Sequence, residues 1–476
     1  MNIIRSLSCA MAILIAFVAM AARAQSVAQS VAQSVAQSPT QLSAQLPSST
    51  DGLVIRTATA FAATYRDLPA TTAVIAALET ASPVRLAHAA IKLEEAQRER
   101  LTLGTYEFVA HAGTARRYDP LRQTRDFDLA LERPIRIGQK ALLDQRIGDS
   151  GLEVAKFSLV DARHEAGRLL LRQWIAHLRA IDERAIWTTQ LSTLQRQLDA
   201  VNGRVRAGDA PRVDVFLVQA ALAQAEQGAS QADARIELSR VDLMTNFPDL
   251  PMSIVPTAIP TLAQPAAPAD DEAGWRSRII EHNHEIQVAQ AQRAQASLVA
   301  SRVRAERVPD PSVGVRYLSE RGGSERVLGI TLSIPIPGAI RDAALQSALA
   351  QVDVRGEREA AVLRRVGGEA SSLYRAARSS FEIWGKADLA VRRLTQHADL
   401  AARAYSLGEG TLSEVLLARR SANESRLQAL AAQSDAQEAR YRLILDAHLL
   451  WPFDDDDHRG AGPLTPSAAT PPTLSR

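Results

Sequence analysis

The stretches "RVRAGDAPRVDVFLVQA" (Arg204–Ala220) and "AYSLGEGTLSEVLLARR" (Ala404–Arg420) decide the fold, because they are two copies of one turn. The matched positions are Gly208 with Gly408, Asp209 with Glu409, and Asp214 with Glu414. In each copy a glycine and an acid separate two helical patterns, and glycine tolerates the backbone angles that end a helix. The sequence therefore predicts two helical hairpins of the same design within one chain.

Two further landmarks repeat at nearly the same spacing. "SPVRLAHAAIKLEEAQ" from Ser82 is similar to "NHEIQVAQAQRAQAS" from Asn283, and "LALERPIRIG" from Leu129 is similar to "ITLSIPIPG" from Ile330. Three matches in the same order indicate a tandem duplication. We expect a first repeat over 67–247, a linker over 248–274 whose prolines forbid a continuous helix, and a second repeat over 275–451.

Each repeat contains one very long helical segment. The stretches 139–207 and 340–407 contain no proline and are rich in alanine, leucine, glutamine, arginine and glutamate, which favour helix. Their apolar residues recur at spacings of three and four, as at Leu170, Trp174, Ile175 and Leu178. At 1.5 Å per residue, each segment predicts a helix of roughly 100 Å, a length typical of coiled coils.

Each repeat also contains two segments that alternate between apolar and polar residues. The first pair is "YEFVAHAGT" from Tyr106 and "DFDLALERPI" from Asp126. A period of two predicts strands with one apolar and one polar face. The predicted apolar face comprises Phe127, Leu129, Leu131, Val313, Val315, Tyr317, Leu328, Ile330 and Leu332. A half-buried soluble sheet would show the same alternation, but strands of about nine or ten residues also suit an outer membrane, where this face would contact lipid.

The number of strands limits how such a sheet could lie in a membrane. Four strands cannot close around a lumen, since small barrels need about eight. An open edge would leave N–H and C=O groups unpaired in lipid. Membrane strands in this chain therefore require several copies. A dimer with eight strands would be filled by side chains, and a trimer with twelve could leave a passage.

The two ends of the chain differ from the repeats. Residues 1–24 have a basic start, an apolar run and an Ala-Arg-Ala site, which are typical of a cleaved secretory signal. Residues 25–66 form a low-complexity lead-in, and residues 452–476 form a tail predicted to be disordered. Cys9, the only cysteine, precedes most of the apolar run, which is the wrong place for lipid attachment. The net charge of +2 gives no sign of a nucleic-acid partner.

Catalytic and metal-binding patterns are weak. No glycine-rich phosphate loop and no Ser–His–Asp arrangement can be read, so we expect neither an enzyme nor a cofactor. His282 and His284 in "EHNHE" lie two positions apart, which does not place both on one helix face. His88, His111, His164 and His177 are scattered along the chain. The sequence therefore predicts no metal site.

From about Leu68 to Trp451, the chain resembles the TolC-like outer-membrane efflux protein family. The resemblance rests on the tandem repeat, on the order of helices and strands, and on "YSLGEGTLSEVLLARR", which carries the family's Tyr, Gly, acid and Val-Leu pattern. The first copy departs from it, with Val205 in place of the tyrosine and Pro211 inside the turn. "LERPIRIGQK" and "LSIPIPGAIRDAALQSALAQ" are most similar to the CzcC-like heavy-metal efflux branch.

The resemblance implies a mainly α fold with a small β part. It further implies a homotrimer in the outer membrane, with a twelve-stranded barrel in contact with lipid and a helical tunnel in the periplasm. The expected partners are a periplasmic adaptor (membrane fusion) protein and an inner-membrane pump of the resistance-nodulation-division type. The chain would be a passive duct, with heavy-metal cations as the expected cargo. Drug efflux, one-step (type I) protein secretion and a periplasmic coiled-coil scaffold are the alternatives.

The resemblance also places the two turns at the periplasmic mouth of the tunnel. The expected tip and gate residues are Gly208, Asp209, Arg212, Asp214, Gly408, Glu409 and Glu414. Rings of Asp214 and Glu414 would attract cations, whereas the plainer interpretation is that they stabilise helix dipoles. Arg204, Arg206 and Arg212 could pair with these acids and hold the mouth shut. Leu407, Leu412 and Val415 are expected either to contact the adaptor or to pack within the chain's own helices.

Overall fold

The computed structural model describes residues 65, 67–104, 106–119, 122–250, 262–269 and 271–451. The predicted signal segment, nearly all of the low-complexity lead-in and the predicted tail lie outside these residues, as does the middle of the linker.

The same order of elements occurs twice along the chain. The first half contains α1 Thr71–Thr80, α2 Ser82–Leu103, β1 Val109–Asp119, β2 Arg122–Pro134, α3 Lys140–Ala207 and α4 Arg212–Asn246. The second half contains α5 Glu272–His282, α6 His284–Ala305, β3 Ser312–Glu320, β4 Glu325–Ser333, α7 Ala339–Ser406 and α8 Leu412–Asp446. Helices α3 and α7 are both 68 residues long, and α4 and α8 are both 35 residues long. The predicted fold, mainly helical with a small sheet, is confirmed.

The long helices form two hairpins, as predicted. Helices α3 and α7 start and end within one residue of the predicted segments, and each rises roughly 100 Å at 1.5 Å per residue. Each turns back into its shorter partner after the repeated glycine, α3 into α4 and α7 into α8. Helix α5 begins at Glu272, three residues before the expected start of the second repeat. Its N-cap is Asp271, whose carboxylate accepts a hydrogen bond from the N–H of Gly274 at 2.9 Å.

The strands form one antiparallel sheet in the order β1-β2-β3-β4. The pairing of β2 with β3 joins the two repeats, and β1 and β4 are the edges. The predicted first strands are displaced, since β1 starts at Val109 rather than Tyr106 and β2 starts at Arg122 rather than Asp126. Backbone pairing continues through polar residues toward the turn, where apolar alternation has already stopped. For this reason the strand predicted from apolar alternation starts four residues later than the observed β2.

The main core lies around the middle of α3. Trp174, Ile175 and Leu178 are almost fully buried there and belong to one cluster with Leu78 of α1 and Trp451 beyond α8. The indole N–H of Trp174 donates to the Asp67 carbonyl oxygen at 2.7 Å, and the Tyr441 hydroxyl donates to the Asp67 carboxylate at 2.5 Å. The start of the described chain is therefore fixed against both halves.

One largely buried ion pair joins the start of α3 to the segment that leads into β3. The carboxylate of Asp310, just before β3, accepts hydrogen bonds from Lys140 Nζ at 2.7 Å, from the Tyr106 hydroxyl at 3.0 Å and from the Ile137 N–H at 3.0 Å. Burial opposes ionisation of Asp310, but these hydrogen bonds hold its pKa below the ordinary value. Because Lys140 is only 2% exposed, removing Asp310 would leave a buried charge unpaired. The pair ties the second repeat to the first where sheet and helices meet.

Candidate functional site

One face of the sheet carries all nine apolar residues that the alternation predicted. The register places Leu129 opposite Tyr317 and Tyr317 opposite Leu328, so one row crosses three strands. A second row runs from Leu131 through Val315 to Ile330. The side chains of Leu328 and Ile330 are 80% and 83% exposed, which soluble surfaces rarely show over a contiguous patch. We call this surface the outer face.

The opposite side of the sheet, the inner face, carries ion pairs across strands. The Arg316 guanidinium on β3 makes two hydrogen bonds to the Asp128 carboxylate on β2, at 2.9 and 2.6 Å. Arg117 on β1 contacts both Asp126 and Glu320 at 3.0 Å. These pairs are partly exposed, so each contributes little to stability. Their position is what matters, because they line one side of the sheet with fixed charges.

The two hairpin turns share one backbone geometry. Gly208 and Gly408 adopt φ angles of +84° and +82°, in the left-handed region. In the first turn, the N–H groups of Gly208 and Asp209 donate to the carbonyls of Val205 and Arg204. In the second turn, Gly408 and Glu409 donate in the same pattern, to the carbonyls of Tyr405 and Ala404. This pair of bonds is the Schellman motif, so Asp209 and Glu409 close the turns through their backbone.

The helices that return from the two turns start differently. In the second hairpin, the Thr411 hydroxyl accepts from the Glu414 N–H at 3.2 Å, and the Glu414 carboxylate accepts from the Thr411 N–H at 2.9 Å. This reciprocal capping box lowers the pKa of Glu414. In the first hairpin the equivalent residue is Pro211, which has no N–H to donate to Asp214. Glu414 therefore has a structural role that Asp214 does not share.

The predicted pairing of acids and arginines at the tips is not present within one chain. Among the described residues, no ion pair joins Asp209, Asp214, Glu409 or Glu414 to Arg204, Arg206 or Arg212. The Arg204 guanidinium instead lies 4.9 Å from the centre of the Tyr405 ring, in the other hairpin. That distance allows a cation–π contact. This contact joins the two tips of one chain without involving an acidic side chain.

A small apolar cluster at the tips includes one of the three predicted adaptor contacts, Leu412. Leu412 packs there with Val201 and Val218 of the other hairpin. Leu412 and Val415 are only 3% and 1% exposed, which fits packing within the chain's own helices. Leu407 is 67% exposed. Of the three, only Leu407 presents a side chain that an adaptor could contact on this chain.

Of the four histidines described as scattered, the structure brings one, His164, into a cluster with His282, His284 and His448. The rings of His164, His284 and His448 lie 4.7 to 6.1 Å apart between centroids, and His282 lies 5.8 Å from His448. His164 also contacts the buried carboxylate of Asp446 at 3.2 Å. No sequence spacing signals the whole cluster, because its members come from three stretches far apart in the sequence: His164, the neighbours His282 and His284, and His448. In the part of the chain that the structure describes, no three potential ligands are arranged to share a metal ion.

None of the helices over the described residues is both long enough and apolar enough to cross a lipid bilayer.

Comparisons with known proteins agree with this geometry at the level of fold. No protein-family model and no curated protein matches the sequence. Among solved structures, the channel CusC superposes with a TM-score of 0.67 at 14% identity, covering 79% of this chain and 91% of that one. The chain has the fold of outer-membrane channels. The Campylobacter jejuni outer membrane channel CmeC (TM-score 0.65, 14% identity, 82% and 87% covered) and the open state of the Neisseria gonorrhoeae MtrE outer membrane channel (0.63, 18%, 80% and 89%) share this channel fold.

Proposed function

We propose that three copies of the chain form an outer-membrane efflux channel. One observation carries the proposal: a four-stranded sheet with two unpaired edges, an apolar outer face and an ion-paired inner face stands at the end of helices roughly 100 Å long. Twelve strands would form the barrel, and the helical hairpins would continue it as a tunnel through the periplasm.

The unpaired edges explain why one chain cannot act alone. In lipid, the free N–H and C=O groups along β1 and β4 must find partners. Because neighbouring strands are antiparallel throughout the sheet, β4 of one chain can pair with β1 of the next in the same sense. Three copies extend this pattern to twelve strands, which leave a passage where eight would be filled by side chains.

Exposed apolar residues on the helices also favour assembly. Helix α4 exposes Leu238, Val241 and Met244 by 66%, 53% and 44%, and their spacing of three residues puts them on one stripe. Near the tip, the same helix exposes Phe216 by 68%. A surface of this kind is typical of a contact between chains. The proposed trimer would bury it between neighbouring hairpins.

The inner face favours cations as cargo. Over strand residues 109–118, 123–134, 312–320 and 325–333, carboxylates outnumber arginines there: Asp126, Asp128, Glu132, Glu320 and Glu325 against Arg117 and Arg316. Rings of acidic side chains favour cations in a pore. The similarity of the two proline-containing segments to the CzcC-like branch narrows this proposal to heavy-metal cations. Drug efflux and protein secretion remain outcomes that the test below would reveal.

The proposed partners follow from the tunnel. A periplasmic adaptor would meet the hairpin tips, where Leu407 is exposed, and would link the channel to an inner-membrane pump of the resistance-nodulation-division type. The chain would perform no chemical reaction, because selection of cargo and the energy for export would reside in the pump.

Deletion of the gene tests the cargo. We expect the deletion strain to become more sensitive to zinc, cobalt, cadmium, nickel or copper, and to recover when the intact gene is returned. Sensitivity confined to dyes and antibiotics would reject metal ions as the cargo but would not reject the proposal that the protein is a channel. Recovery of the protein in the soluble periplasmic fraction would reject the channel itself.

Single-channel recording tests the inner face. Asp128 and Arg316 form an ion pair between neighbouring strands, so each is the matched control of the other. In a tenfold KCl gradient we expect Asp128→Asn to weaken cation preference and Arg316→Gln to strengthen it. If the reversal potential shifts for neither variant, ions do not pass along this face.

A further inference from the structure

Arginines occur only at the two ends of the outer face. At the hairpin end, Arg116 of β1 lies directly opposite Arg125 of β2. Arg326 of β4 faces the same side, because its partner Ser319 is in turn opposite Phe127. All three are exposed, and Tyr118, on the same face, is 70% exposed. We call these three arginines the arginine belt.

The belt differs from the arginines of the inner face in its lack of acidic partners. Arg117 and Arg316 each contact a carboxylate of a neighbouring strand. Over the described residues, no ion pair involves a residue of the belt. The outer-face positions of the described strands contain no aspartate or glutamate at all. The belt is therefore positive charge that no acidic side chain among the described residues neutralises.

The pairing of Arg116 with Arg125 is unfavourable unless an anion lies between them. Like charges directly opposite each other on neighbouring strands destabilise the pair. An anionic group bridging both guanidinium groups would convert this repulsion into two charge-assisted interactions. Guanidinium groups match phosphate well, since their planar N–H groups can donate to two oxygens at once.

The position of the belt fits the headgroup level of a membrane. From Arg125 to Arg133, eight residues of β2 span about 27 Å along the strand, or roughly 21 Å of height at the tilt of a barrel strand. This is close to the apolar band of about 25 Å in outer-membrane barrels. The other end is different, because Arg133 donates to the Tyr106 carbonyl at 3.0 Å and lies over the Phe108 ring. Uncompensated charge is thus concentrated at the end away from the helices.

We propose that the arginine belt binds the phosphate groups of the glycolipid that forms the outer leaflet of the outer membrane, with Arg116 and Arg125 as its central pair. The inference rests on the proposed function, which places the hairpin end at the outer surface. In the trimer, β4 of one chain borders β1 of the next, so Arg326 lies beside the neighbouring chain's first strand. Three such sites surround the barrel.

Binding to purified lipid A tests the proposal. The full-length protein, isolated in detergent, is examined by native mass spectrometry with bisphosphorylated lipid A and with the same lipid A after removal of its phosphates. We expect wild type to prefer the phosphorylated form, and Arg116→Gln with Arg125→Gln to weaken that binding on the order of 30-fold, or roughly fivefold for each arginine. Arg133→Gln, at the other end of the same face, is the matched control and should retain the preference.

The outcomes separate this inference from the proposed function. Reconstitution of wild type into phosphatidylcholine nanodiscs shows whether the protein enters a bilayer at all, and failure there would reject the proposed channel. If wild type inserts but binds both forms of lipid A equally, the belt is not a phosphate site. The same conclusion follows if the double variant inserts and keeps the full preference for phosphate.

Discussion

At the residue scale, the two repeated glycines are required by backbone geometry alone. A Cβ added at Gly208 or Gly408 would meet nothing within 4 Å, so only the positive φ angle opposes substitution. We expect Gly208→Ala and Gly408→Ala each to lower the free energy of unfolding by about 1 kcal/mol. Gly→Asn at either position should cost less, since asparagine adopts this conformation more readily. Thermal denaturation followed by circular dichroism measures the difference.

Gly203 provides a control of opposite sign for this prediction. It lies within α3, a Cβ there would also meet nothing within 4 Å, and its φ angle is not positive. Gly203→Ala should therefore stabilise the protein by roughly 0.5–1 kcal/mol. Equal effects at Gly203 and Gly208 would contradict the assignment of the turn geometry.

The capping box at Thr411 and Glu414 distinguishes Glu414, which has a structural role, from Asp214, which is a candidate gate residue. Thr411→Ala removes an N-cap and should lower the free energy of unfolding by about 1 kcal/mol. Asp214→Ala removes no cap and should change stability by less than about 0.5 kcal/mol. If Asp214 acts as a gate, its replacement changes conductance in planar bilayers while the melting temperature stays constant. Unchanged conductance would leave Asp214 with no role at the gate.

At the element scale, the buried side chain of His164 makes the packing around it sensitive to pH. Burial lowers the pKa of His164, against the opposing effect of its hydrogen bond to Asp446. The unfolded chain, with an ordinary histidine pKa of about 6.5, therefore binds more protons than the folded chain as pH falls below that value. Stability attributable to His164 is present above about pH 6.5 and decreases below it. The charged and titratable groups around it are Arg168, Asp446, Asp161, His284 and His448.

We expect His164→Gln to lose part of this pH dependence while still donating to Asp446. The measurement is the melting temperature at several values between pH 5 and 8, for wild type and variant. Because burial also lowers the pKa of His177, some dependence should remain. His397→Gln, at an exposed position on α7, should behave as wild type. If the slope is unchanged in His164→Gln, His164 does not cause the pH dependence. The lowered pKa of Asp446 acts in a separate range, with stability lost only as pH falls below about 4.

The sequence predicts features that depend on neighbouring positions in the chain, and it does not predict contacts between distant segments. Apolar alternation predicted which face Leu129 or Ile330 occupies, because the side-chain period of a strand is fixed. It could not predict which residues of neighbouring strands pair, so the opposition of Arg116 and Arg125 appears only in the structure. The same limit applies to Lys140 with Asp310, which are 170 positions apart and belong to different repeats.

At the scale of the whole molecule, the repeat combines two β-hairpins into one continuous four-stranded sheet. Each repeat contributes two strands and one long helical hairpin, and the pairing of β2 with β3 makes the two contributions continuous. Within the described part of a single chain, the outer edges of β1 and β4 have no partner strand. The proposed trimer supplies both partners with one type of contact, which closes on itself as a cyclic assembly must.

Engineered cysteines test that contact directly. Cys9, the only cysteine, lies in the predicted signal segment, so background cross-linking should be low. Ala112→Cys on β1, combined in turn with Leu328→Cys, Ile330→Cys or Leu332→Cys on β4, places thiols on the same face of both edges. A disulfide needs Cα atoms about 4.4–6.8 Å apart, so we expect the combination closest to register to yield cross-linked dimers and trimers on non-reducing gels.

An intrachain pair makes the result interpretable. Leu131 and Val315 are cross-strand partners within one chain, so Leu131→Cys with Val315→Cys should give an internal disulfide and only monomers. If the three edge combinations also give only monomers while this control forms its disulfide, β1 and β4 do not meet between chains. Since lipid cannot satisfy free backbone groups, that outcome would remove the sheet from the membrane. The proposals that the outer face contacts lipid, that the arginine belt binds phosphate and that the trimer forms a passage would then all fail. The structure of the helical hairpins would not be affected.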